Sequence, residues 1–275
     1  MSDEGRLRFR DKIRRRPGTR PAGDADTAPA GEMTAPAGVP DDAVVIRGLE
    51  CGPFPQAEGL HPRFVPGVPR ILMTIDVGAA LRRPGTALPE EARRRLLAVC
   101  PCLGEHECGQ GDPFTGAPAV GSEDEDGLAL AHLIEHVAID IAATATARRC
   151  SGVTCAWRGR LDRFDIFLEC HDPAVARTAA ILGTAVVRDL ASGSDRLGEH
   201  GRCRDLLCAF ARQAGTDMAP EDAARILGTE LREALGALED LKRCGYVQAV
   251  PSPFTFSSAT GLLYRRTPPP AAGVP

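Results

Sequence analysis

Short β-branched runs alternate with helical stretches over residues 43–192, and three helical stretches followed by two short strands occupy 196–268. This order predicts an α/β (α+β) N-terminal domain followed by a winged-helix-like C-terminal domain. With aromatic residues at 4%, the core must be built mainly from Leu, Val, Ile and Ala. A length of 275 residues leaves room for both units.

Residues 1–42 read as a disordered tail. The first twenty carry eight basic side chains against three acidic ones, and 17–40 are rich in Pro, Ala and Gly without hydrophobic periodicity. Such a segment cannot bury enough apolar surface to offset its ordering entropy. Val44-Val45-Ile46 and Ile71–Ile75 are apolar runs bounded by Gly and Pro, and read as strands. Pro89–Cys100 reads as a helix, with Pro89 at its first position and Glu90 and Glu91 in its first turn. Cys102–Asp126 is loop-like. A second helix is expected from Gly127 to about Ala143, a strand over Phe164–Glu169, and a third helix over Asp172–Leu190. In 196–268, helices are expected over 202–214, 220–227 and 229–244, with Thr229 as cap and Gly245 as stop. Strands follow at 246–250 and 262–266, and 269–275 form a Pro-rich tail.

Several function classes are set aside by composition. The net charge of −4 does not fit a protein that coats nucleic acid. No apolar run approaches the ~18 residues of a bilayer span, and the first twenty residues lack an apolar signal core. A cytoplasmic, reducing location is therefore expected. The ten cysteines then read as thiols or metal ligands rather than disulfides.

The most specific local signal is His132-Leu133-Ile134-Glu135-His136, an H-x-x-E-H motif. On a helix, positions i and i+4 lie one turn apart on one face, with i+3 beside them. His132 and His136 can chelate one ion, and imidazole pairs of this kind suit Zn²⁺. Glu135 is then placed to act as general base, as in the inverted form of the H-E-x-x-H motif. Leu128, Ala131, Ile134, Ala138 and Ile141 form an apolar face, which leaves the motif to line a cleft. For a third ligand, Glu169 closes a strand and is the first choice, with Cys170, His171 and Asp140 as alternatives. Cys100, Cys102, His106 and Cys108 could form a second, structural zinc site, although C-x-C-x₃-H-x-C is tighter than the usual knuckle. Arg158 and Arg160 are candidates for binding a substrate carboxylate.

Residues 44–190 resemble the N-terminal domain of cyanophycin synthetases. The resemblance is carried by Val45–Leu49 with Gly52-Pro53, by Leu72–Asp76, by Glu105-His106-Glu107-Cys108, and by Asp126-Gly127 leading into the motif helix His132–Asp140. It implies the activity carried by this domain in some members of that family, a zinc-dependent hydrolase that cuts the Asp-Arg polymer internally and so creates primers for synthesis. Carried over, His132 and His136 would be ligands, Glu135 the base, and Glu169 falls where the family also has a carboxylate. Asp126 and Asp140 depart from the family's more usual Glu. No G-x-x-x-x-G-K-[ST] loop is present, so synthesis of the polymer is not expected.

The function expected is a zinc peptidase or amidohydrolase acting on a peptide or isopeptide. The alternatives are a non-catalytic scaffold, in which the winged-helix module binds a protein partner, and a transcriptional regulator. Residues 196–268 carry ten basic and nine acidic side chains, too balanced for strong phosphate binding, although Arg265 and Arg266 could serve a wing.

Overall fold

The computed structural model describes residues 43–78, 90–105, 128–157, 160–213, 217–253 and 260–268. Both tails, Pro89, His106, Cys108 and Arg158 lie outside the described residues.

Four strands form the first sheet: β1 (Val44–Gly52), β2 (Arg70–Val77), β3 (Gly152–Trp157) and β4 (Arg160–Glu169). They are ordered β1-β2-β4-β3, and every neighbouring pair is antiparallel. Three of these strands follow the sequence expectation; β3 is an addition. Strand geometry sends successive side chains to opposite faces. Ile71, Met73, Ile75 and Val77 of β2 therefore share a buried face with Phe164, Ile166 and Leu168 of β4. Val153 and Phe167 point the other way, into a small cluster with Ala57 and Phe64. The segment before β2 is fixed there by Arg70, whose fully buried guanidinium donates to the carbonyls of Pro53, Val65 and Val68 and lies over the Phe64 ring.

The described residues contain six α-helices: α1 (Glu90–Val99), α2 (Leu128–Thr146), α3 (Pro173–Ala191), α4 (Leu197–Arg212), α5 (Pro220–Leu227) and α6 (Leu231–Arg243). On the large apolar face, α2 covers β3 and β4 while α3 covers β1 and β2. Asp172 caps α3 by accepting from the backbone N–H groups of Ala174 and Val175, and Pro173 opens the helix as expected. The two helices approach closely where α3 carries Gly183. A Cβ added there would lie 3.0 Å from the backbone nitrogen of Ala138 and 3.2 Å from its Cα. By length and composition α2 is apolar enough to cross a bilayer, contrary to the reading of the sequence. Here it is the core helix: twelve of its nineteen residues are buried, His132, Glu135, His136 and Asp140 among them.

Helix α4 packs on α1, α2 and α3, and His200 pairs with Asp189 of α3 at 2.9 Å. It begins at Leu197, five residues earlier than expected. Helices α5 and α6 follow, and β5 (Val247–Pro251) pairs antiparallel with β6 (Leu262–Arg266). Met218, between α4 and α5, bridges to Tyr264 of β6. Gly245, at φ 78°, follows the last turn of α6 as expected, but Glu230 rather than Thr229 occupies the N-cap position, and its side chain makes no capping hydrogen bond. The helices and hairpin of this second half share one apolar cluster with the first sheet. Arg266 of β6 also pairs with both carboxylate oxygens of Asp172.

The Gly183 contact is with backbone, which cannot swing aside. Gly183→Ala is expected to lower stability by about 1–3 kcal/mol through overpacking. The check is a lower denaturant midpoint at unchanged slope.

Candidate metal centre

The site is built on α2, where Ala, Leu and Ile hold the backbone helical and bury it against β3, β4 and α3. Because His132 and His136 are one turn apart, their imidazoles stack edge to face, with centroids 4.6 Å apart and planes at 80°. Their Nε2 atoms are 3.0 Å apart. Two nitrogens on a tetrahedral zinc would be about 3.3 Å apart, given Zn–N distances of about 2.0–2.1 Å. The pair is thus close to the bite required before any ion is considered. Glu135 joins them: the ligand atoms of all three residues lie within 4.8 Å of one another, the one such group among the described residues.

The three side chains are buried rather than lining an open cleft. Thr154 of β3 donates its hydroxyl to Glu135 Oε2 at 2.6 Å. Burial sets the protonation chemistry. It pushes the His132 imidazole down to about 4 and the Glu135 carboxyl up to about 8, against the opposing pull of the Thr154 hydrogen bond. Without a cation both groups prefer their neutral forms, so His132 offers a nitrogen lone pair at neutral pH. Two imidazoles and one carboxylate on a buried helix face form a donor set that fits zinc and other divalent transition metals.

The remaining expected residues lie elsewhere. Glu169 is not brought to the histidines. It follows Phe167 at strand spacing, which puts it on the face of the sheet opposite α2, where its Oε1 accepts from the Val65 N–H at 3.4 Å. Asp140 is buried one turn further along α2, next to the Cys100 thiol, which burial and this carboxylate both push upward. Cys170 is buried beside Cys51, and His171 is bonded to the Arg149 carbonyl at 2.9 Å. Arg160 pairs with Asp162 at 2.9 and 2.8 Å, at the end of β3 remote from Gly152. Of the expected cysteine cluster, Cys100 is buried and Cys102 exposed, while His106 and Cys108 lie outside the described residues. A groove of about 430 Å³, bordered by Arg95, Val99, Gly198 and Arg202, contains none of the three site residues. Sequence reasoning missed Thr154. The signal present was the adjacent β-branched pair Val153-Thr154.

Residues 72–192 match the family model described as Cyanophycin synthase-like N-terminal domain. The match runs from β2 through α3 and contains the whole H-x-x-E-H helix and Thr154; β1 and residues 196–268 fall outside it. No curated protein and no solved structure gives a significant match.

The two shifts make opposite contributions to stability. A Glu135 raised from 4.5 to about 8 holds a proton in the folded state that the unfolded state releases, so stability falls as pH rises across that window. A His132 lowered from 6.5 to about 4 makes stability rise with pH, but only up to 6.5. The metal-free protein should therefore lose stability between about pH 6.5 and 8. Glu135→Gln should flatten that decline, as read by denaturant midpoints across the range.

Proposed function

We propose that this chain is a zinc-dependent peptidase or amidohydrolase acting on a peptide or isopeptide, with a cyanophycin-like polymer as the leading substrate class. The observation that carries the proposal is the His132–Glu135–His136 group on one buried helix face, inside the segment that matches the family. Zinc supplies Lewis acidity and lowers the pKa of a coordinated water to about 7. His132 and His136 would hold the ion, their Nε2 atoms already being close together. Glu135 would accept a proton at Oε1, the oxygen not bonded to Thr154, and pass it to the leaving amine. Because α2 lies at the centre of the fold, these groups work shielded from bulk water, where their electrostatic effects are larger.

We read residues 196–268 as a winged-helix module. Helices α4, α5 and α6, the β5–β6 hairpin and the Met218–Tyr264 bridge support this reading. The two arginines at its wing are already engaged. Arg265 is bidentate to Asp217 at 2.8 and 2.7 Å, and Arg266 is held by Asp172. This favours a protein partner over nucleic acid, and a salt-dependent gel shift with genomic fragments should show no binding at physiological ionic strength. We place the protein in the cytoplasm, where its thiols stay reduced.

The deciding experiment is zinc stoichiometry combined with turnover. The wild type should carry about one equivalent, and the His132→Ala/His136→Ala variant none. Glu135→Gln should keep zinc and lose about 10²–10⁴-fold in rate on an Asp-Arg isopeptide polymer. Zinc absent from the wild type would leave the scaffold reading in place. Zinc lost from Glu135→Gln would make Glu135 a ligand instead of the base.

A further inference from the structure

Gly152 and Thr154 stand two residues apart on β3, so both face α2. Threonines on the neighbouring helices bond to backbone one turn earlier: Thr146 donates to the Ala142 carbonyl at 2.8 Å and Thr184 to that of Ala180 at 2.9 Å. On a strand Thr154 has no such acceptor. Its buried hydroxyl is directed across the interface to Glu135 Oε2 at 2.6 Å. At Gly152, a Cβ would fall 3.0 Å from both Oε1 and Cγ of Glu135, and 2.9 Å from Ile139 Cδ1. The absent side chain at 152 is the space in which Oε1 and Cγ of Glu135 lie, and the hydroxyl at 154 holds Oε2, so β3 grips the carboxylate by both oxygens.

We propose that Thr154, with the room left by Gly152, is the positioning residue that aims the Glu135 carboxylate at the His132–His136 pair. This role rests on the reading above, in which the two histidines hold a metal and Glu135 works beside it. A glutamate side chain has three rotatable bonds and several staggered states. A buried donor on one side and a wall on the other select one of them.

Cobalt tests this without any substrate, because its visible absorption reports the surroundings of the ion. Cobalt affinity and band position would be compared in the wild type, Thr154→Val, Thr154→Ser, Glu135→Gln and the Thr154→Val/Glu135→Gln double variant. Thr154→Val should shift the band and leave cobalt affinity close to that of the wild type, because Glu135 stands beside the ion and is not one of its ligands. Thr154→Ser should restore the wild-type band. Adding Thr154→Val to Glu135→Gln should change nothing further, since the effect runs through Glu135. Gly152→Ala offers a second route to the same displacement: its Cβ meets the flexible ends of Glu135 and Ile139, and the band should move while the hydroxyl remains. Equal band shifts from Thr154→Val in both backgrounds, or no shift in either, would overturn the positioning role alone. Loss of cobalt from Glu135→Gln would also overturn it, by making Glu135 a ligand. A wild type that takes up no cobalt would overturn the metal reading itself.

Discussion

The arrangement of the site depends on how closely α2 and α3 can approach. At Gly183 a methyl carbon would lie 3.0 Å from the backbone nitrogen of Ala138, tighter than ordinary contact, so the helices approach as closely as a glycine permits. In that arrangement α2 lies over β3 and β4 while α3 covers β1 and β2. Ala138 lies two residues beyond His136, so a wider spacing between the helices would change how far the two imidazoles stand from the sheet. The reach of the Thr154 hydroxyl to Glu135, at 2.6 Å, is set by the same packing. Interiors packed at crystal-like density transmit such constraints over several residues.

The two faces of the sheet have different tasks. One is apolar and carries the helices. The other combines the small cluster around Phe64 and Phe167 with charged groups held in fixed geometry. Arg70 uses three backbone carbonyls in place of a carboxylate. Asp76 is held by Arg163 at 2.6 and 2.8 Å and by Arg47 at 2.7 Å, and the Arg163 guanidinium keeps its carboxyl below the usual range. Buried charge is tolerated here because each group is met by several hydrogen bonds. His132 and Glu135 on α2 differ in kind: burial presses both toward neutrality, and a bound cation would keep the imidazole neutral while favouring the ionised carboxylate.

How much of this was legible in the sequence depends on periodicity. Spacing at i and i+4 states directly that His132 and His136 share a helix face, and the structure brings them together. The same logic, carried through Phe164–Glu169, speaks against Glu169 as a ligand: Phe164, Ile166 and Leu168 share the parity that faces the helices, while Asp165, Phe167 and Glu169 share the other. What the strand alone does not state is which of its two faces the motif helix covers. Thr154 was hidden for another reason. Gly152–Trp157 contains only two β-branched residues, and its strand state is imposed by pairing with β4. The pairing of Arg265 and Arg266 with Asp217 and Asp172 joins residues 48 and 94 apart, which no local pattern encodes.

Asp172 carries a further consequence. One carboxylate serves the first turn of α3 and the guanidinium of Arg266 at the far end of the second half. The connection between the two halves at 192–196 is therefore not a free tether. Pulling the hairpin away would leave the head of α3 with an uncompensated charge and break into a continuous apolar cluster. The two halves share that cluster and this ion pair, so anything that grips the C-terminal half from outside is mechanically joined to the helices around the candidate metal centre.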